Sequence, residues 1–205
     1  MVISFVPSCR GGFAFFKRIK PMKIIHTEIP GLLIIEPRVF EDSRGYFFES
    51  YNQKIFDEEN LQFNFVQDNQ SKSTYGVIRG LHYQVEPYAQ AKLVRVLSGK
   101  VFDVSVDIRK GSPTFGQWEG VELSEENKKQ ILVSKGFAHG FSVLSETAVV
   151  FYKCDNFYYP EADRGIIYND KSLNIDWKVD TSKAIVSEKD LQHPSLVDAE
   201  NNFFY

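Results

Sequence analysis

The stretch Val77-Ile78-Arg79-Gly80-Leu81-His82-Tyr83-Gln84, followed by Gln90-Ala91-Lys92, gathers side chains able to move protons and steady charge. An imidazole titrates near neutrality and can take up a proton. An ammonium held partly out of water can stabilise negative charge growing on an oxygen. Such a polar strand is unusual for a buried wall. A lone histidine is more often a hydrogen-bonded core residue, and a lone lysine a solvated rim charge, but the company of Arg79, Gln84 and Lys92 shifts the reading of His82 toward a site. Strict alternation would put Arg79 and His82 on opposite faces. Both can enter one pocket only through a twist or bulge, and Gly80 is the natural place for it.

The elements that must position these residues read as short strands. Phe102, Val104, Val106 and Ile108 alternate with Asp103, Ser105, Asp107 and Arg109, the period of a strand with two unlike faces. Similar runs stand at Leu32–Ile35, Val77–Gln84, Leu93–Leu97, Gln130–Val133 and Ala148–Lys153, divided by turn signals such as Ser98-Gly99-Lys100 and Gly111-Ser112-Pro113. Helices are expected only at Gln53–Glu59 and near Ser187–Gln192, where Ser187 caps and Asp190 falls in the first turn. Many short strands predict an all-β chain folded as an antiparallel barrel or jelly roll. Small barrels hold one ligand among inward-facing side chains, so a site should be assembled from polar residues on several strands.

The bulk numbers agree. The 205 residues fit one domain; 43% are hydrophobic and 15% aromatic, with 18 Phe and 10 Tyr favouring strands and aromatic-lined pockets. A net charge of -3 without a basic stripe argues against nucleic acid as a partner. Cys9 and Cys154 form no C-x-x-C pair and read as plain thiols of a reducing cytoplasm. Near the start, Phe13–Phe16 precede Lys17, Arg18 and Lys20, the reverse of a secretory signal. No run approaches the roughly 20 apolar residues of a membrane span. Residues 1–21 are read as an extension outside a single domain over 22–205, with Met22 as the working start. No dinucleotide-binding glycine fingerprint follows a strand.

From about Met22 to Pro194 the chain resembles the dTDP-4-dehydrorhamnose 3,5-epimerase family. The likeness rests on Phe40–Ser50 (FEDSRGYFFES), Val66-Gln67-Asp68-Asn69, Arg79–Gln84 (RGLHYQ), Ala91–Arg95 (AKLVR), Val101–Val104, Ser112–Gly116 (SPTFG), Gly136–Phe141 (GFAHGF), Tyr152-Lys153 and Ser187–Asp190 (SEKD). Each is weak alone; in order and at near-family spacing they are specific together. The resemblance implies a cupin-like jelly-roll barrel with a few short helices and no metal or other cofactor. It makes His82 the proton acceptor, Asp190 the carboxylate that orients it, Lys92 the support of the substrate's C4 oxygen, and Tyr152 the acid on the opposite ring face. It gives substrate-binding roles to Arg44, Glu49, Gln67, Asn69, Arg79, His139, Asp163 and Lys189. It also implies a strand-exchanging homodimer, in which Arg44 and Glu49 serve the neighbour's pocket, and a place in making dTDP-L-rhamnose for surface polysaccharides.

The chemistry is coherent. A C–H beside a ketone is acidic because the enolate spreads charge onto oxygen, so a base at carbon and a cation at oxygen must act together. The substrate already carries its ketone, and no redox cofactor is called for. Taken alone, Tyr152 reads as a core aromatic, His139 as a packed strand residue, and Asp190 as a carboxylate with nothing local to bring it to His82; His26 and His193 lack polar company. Phe157 stands where the family often has Tyr, and Asp163 where it often has a longer Glu. Three rivals remain: a metal-dependent cupin enzyme, for which a second His near His82 is missing; a non-catalytic sugar-nucleotide binder, which would need no acid or base; and a single-centre epimerase acting at C3 or C5 alone.

Overall fold

Alternating and fully apolar runs bury their side chains by pairing into two packed sheets. The computed structural model describes residues 21–205, so the expectations for Cys9 and for residues 1–20 lie outside the described part. Its strands are β1 (Met22–His26), β2 (Leu32–Pro37), β3 (Phe40–Asp42), β4 (Gly45–Phe47), β5 (Gln67–Thr74), β6 (Ile78–Gln84) and β7 (Lys92–Ser98). They continue as β8 (Lys100–Asp107), β9 (Trp118–Ser124), β10 (Gln130–Val133), β11 (Phe137–Val143), β12 (Thr147–Cys154) and β13 (Asp163–Gly165). The helices are α1 (Gln53–Glu58) and α2 (Glu188–Leu191), with short 3-10 turns at Pro160–Ala162 and Thr181–Lys183.

One sheet has the order β1-β2-β10-β7-β12-β5, the other β13-β6-β11-β8-β9, and β3-β4 forms a separate hairpin. All these strand pairs are antiparallel. This is the expected jelly-roll arrangement. Between the sheets, Leu32, Val94, Ile131, Phe141, Val143 and Val150 form the inner core. The outer face of the five-stranded sheet is covered by the C-terminal segment through Leu173, Trp177 and Phe203. The outer face of the six-stranded sheet is covered by α1, whose Ile55 and Phe56 meet Leu33, Ile35 and Leu132.

Strand β8 shows how this layering serves function. Phe102, Val104, Val106 and Ile108 pack outward under the C-terminal segment. Asp103, Ser105 and Asp107, on the other face, are also fully buried, because that face looks into the barrel rather than to water. Buried carboxylates need partners. Asp107 accepts from Arg109, Ser112 and Thr114, while Asp103 accepts from His139. No helix among the described residues is long and apolar enough to cross a membrane.

Candidate active site

His82 and Arg79 lie on the same face of the sheet because β6 bulges, although Arg79 itself remains exposed. In the β6–β11 ladder His139 pairs with His82 and Phe141 with Arg79, so Gly80 and Leu81 stand opposite Gly140 alone. The extra residue shifts the alternation by one and brings both side chains to the same face. Gly80 sits at φ +123, and a Cβ there would lie 2.6 Å from the Cα of Gly140. Only glycine fits this left-handed, crowded position.

Behind His82, α2 delivers its carboxylate. Ser187 caps the helix by accepting from the Asp190 backbone N–H at 3.1 Å. Asp190 Oδ1 is 2.9 Å from His82 Nε2, and Oδ2 accepts the Gly80 backbone N–H at 3.1 Å. Burial works to raise the Asp190 pKa, but the hydrogen bond and charge of His82, the Gly80 amide and the Ser187 hydroxyl outweigh it and bring it to about 2. Ionised, Asp190 can only accept, so His82 Nε2 carries the hydrogen and Nδ1 is the basic nitrogen. The link that nothing local in the sequence suggested is therefore present, over a separation of 108 residues.

The opposite wall comes from the six-stranded sheet. Cys154 pairs with Lys92 on one side and Gln67 on the other, and Tyr152 pairs likewise with Val94 and Asn69. Lys92 Nζ lies 5.9 Å from the centre of the Tyr152 ring. Burial pushes the Lys92 ammonium below its ordinary pKa, against the pull of Cys154, Asp163 and Asp103. Burial also raises the Tyr152 hydroxyl, with Cys154 adding to the effect and the Arg79 charge opposing it.

His82, Lys92, Tyr152, Gln67, Asn69 and Asp163 all line one cavity of about 320 Å³, together with Tyr83, Gln84, Gln90 and Tyr158. Gln67 donates to Asn69 and accepts the Tyr158 backbone N–H. Asp163 accepts from the Tyr158 hydroxyl at 3.0 Å and pairs with Lys189, so despite its shorter reach it stands in the cavity wall. Arg79 donates to Ser73 at 3.0 Å, beside this wall. His139 neighbours His82 in the ladder, but its imidazole is turned to Asp103, 2.9 Å from both carboxylate oxygens. Arg44 and Glu49 are not in this cavity. Arg44 lies on the β3–β4 hairpin, 87% exposed and paired with Asp42, and Glu49 accepts from Asn52. Phe157 is exposed, and its backbone carbonyl accepts from Gln84.

Sequence reasoning missed three contributors. Gln84 and Gln90 were visible in the polar stretch but drew no role; both amides tie the cavity wall to the 156–159 segment. His193, set aside for want of polar company, packs edge-on against His82 with ring centres 5.5 Å apart, and its Nε2 is 3.8 Å from Asp190 Oδ1. A histidine three residues after Asp190, one helical turn on, was the available signal. Burial and the charge of His82 lower the His193 pKa, with Asp190 opposing.

Comparison with known proteins follows the same lines. A sequence model of dTDP-4-dehydrorhamnose 3,5-epimerase matches residues 26–198. A dTDP-4-dehydrorhamnose 3,5-epimerase of Shigella flexneri is 58% identical over 180 residues, covering 87% of this chain and 98% of that protein. The crystal structure of the enzyme of that name from Elizabethkingia anophelis superposes with a TM-score of 0.84 at 56% identity, covering 87% of this chain and 98% of that one. A dTDP-6-deoxy-D-glucose-3,5-epimerase of Legionella pneumophila, in complex with dTDP-4-keto-L-rhamnose, gives 0.83 at 52% identity over 86% of this chain and 94% of its own. With His82, Asp190, Lys92 and Tyr152 gathered around a jelly-roll barrel, the chain belongs to the dTDP-4-dehydrorhamnose 3,5-epimerase family.

Proposed function

We propose that the protein is an isomerase that inverts C3 and C5 of a dTDP-4-dehydro-6-deoxy-D-glucose sugar, giving dTDP-4-dehydro-L-rhamnose. The observation that carries this reading is the placement of His82 on one sheet and of Lys92 and Tyr152 on the other, around one cavity. A sugar ring held between the sheets meets a base on one face and a hydroxyl acid on the other.

His82 Nδ1 takes the proton from the carbon beside the C4 ketone, and the ionised Asp190 stabilises the resulting imidazolium. Lys92 faces the C4 oxygen and steadies the enolate; its burial leaves the charge little screened by water. Tyr152 returns a proton from the opposite face. Gln67, Asn69, Arg79, His139, Asp163 and Lys189 bind the sugar, the diphosphate and the nucleoside. For Lys189 this means leaving Asp163 for the diphosphate.

Arg44 and Glu49 act in the pocket of a second copy. Support comes from the β3–β4 hairpin, where Phe40, Tyr46 and Phe47 are 49%, 59% and 67% exposed, a concentration of aromatics that suits an interface. Residues 22–205 form the working domain, and the product serves dTDP-L-rhamnose synthesis in the cytoplasm, where the unpaired thiol of Cys154 is at home.

The test is incubation with the 4-keto-6-deoxyglucose nucleotide in deuterated water, read by NMR. Deuterium at both C3 and C5 with the L-rhamno configuration is expected. Inversion at one carbon only would make the protein a single-centre epimerase, and no deuterium at all would leave a binder. His82→Ala and Asp190→Ala should lose exchange while keeping the fold, and Tyr152→Phe should still remove protons but fail to invert. A His82→Ala variant with normal turnover would refute the assignment.

A further inference from the structure

Around the acid–base pair, the structure holds a cluster with one member, His193, that the mechanism does not use. His82, Asp190 and His193 each offer one ligand atom, and those atoms lie within 4.8 Å of one another. Two imidazoles and a carboxylate are the donor set that zinc-type ions select, whereas magnesium and calcium favour all-oxygen shells. A tetrahedral zinc ion with ligands about 2.1 Å away holds neighbouring ligands about 3.4 Å apart. The separations from Asp190 Oδ1 to His82 Nε2 and His193 Nε2, 2.9 and 3.8 Å, bracket that spacing.

The second observation is His193 itself. Its Nε2 is fully shielded from solvent and has no hydrogen-bond partner, an uncommon state for a buried ring nitrogen. Its ring is held in place by packing: a Cβ at Gly165 would fall 2.4 Å from it, so the bare glycine backbone makes the room it occupies. Lys189, the nearest positive side chain on α2, is engaged by Asp163, which limits its repulsion of a cation.

We propose that His82, Asp190 and His193 form an inhibitory site for a divalent transition-metal ion such as Zn²⁺, entering from the cavity side, where His82 is half-exposed. The silencing half of this inference rests on His82 being the base. A neutral imidazole carries one hydrogen. In the working form it sits on Nε2, facing Asp190, and leaves the Nδ1 lone pair free. An ion on Nε2 requires the hydrogen on Nδ1, so no lone pair remains for the substrate C–H. The ion sits behind the ring and need not compete with the sugar nucleotide.

The test titrates Zn²⁺, with Mg²⁺ as control, into wild type and into His193→Asn and His193→Phe, the second keeping a ring without a nitrogen. Binding is read by calorimetry, turnover as the ratio of rates with and without zinc, and folding by circular dichroism. One zinc per chain, at least tenfold weaker binding in both folded variants, and EDTA-reversible inhibition that lowers kcat more than it raises KM are expected in wild type, with no effect of Mg²⁺. Equal zinc affinity in wild type and both variants would overturn the site. Zinc bound through His193 without loss of turnover would overturn the silencing alone; His82 as the base stands or falls separately, on whether metal-free activity is lost in His82→Ala.

Discussion

Lys92 and Tyr152 face the same cavity, yet burial moves them in opposite senses, since it disfavours a cation in one and an anion in the other. This has a kinetic signature. Tyr152 stays protonated to higher pH than an ordinary tyrosine, whereas Lys92 loses its charge below an ordinary lysine's 10.5. The alkaline limb of kcat/KM should therefore belong to Lys92 and fall below pH 10.5, and in Tyr152→Phe the same limb, read as solvent deuterium exchange, should keep its position. A profile level through pH 10.5 would contradict the cationic role. Of the individual residues, His82 and Lys92 were legible in the polar stretch, while Tyr152, Gln67, Asn69 and Asp163 were reached through the family resemblance; all six line one cavity. Asp190 was reached through the resemblance alone and His193 not at all, since their contacts with His82 close a loop of over a hundred residues that no local pattern encodes.

At the level of elements, the decisive feature is the bulge in β6. Gly80→Ala would force a side chain onto a backbone at φ +123 and against Gly140. Strain and overpacking together should cost about 2–5 kcal/mol. Urea denaturation should register that loss, and turnover should fall roughly tenfold or more because Arg79 and His82 lose their shared aim. Elements with a clean period were readable: the expected Gln130–Val133 strand is β10, the expected Gln53–Glu59 helix is α1 with one residue fewer, and Ser187 caps α2. Those without a period were not. Strand β11 is buried on both faces, β5 is QDNQSKST with no apolar alternation, and β13 spans three residues. The buried carboxylates of β8 likewise look like a wet face in sequence, and only the second sheet turns that face inward.

At the scale of the whole molecule, the two sheets and α2 supply every proposed catalytic group, but Arg44 and Glu49 stay outside the cavity. If Arg44 works in a second copy, Arg44→Ala and His82→Ala should be inactive alone and recover on being unfolded and refolded together. Random pairing makes half the dimers mixed, each with one intact pocket of two, so recovery should approach roughly a quarter of wild-type turnover. No recovery would place Arg44 within its own chain's site. The hairpin that bears it has a further result. A pocket finished by another copy's arm ties output per milligram to how many copies share the solution. On serial dilution, specific activity should hold steady and then decline as the pairs come apart, whereas a self-sufficient pocket would work equally well at every dilution.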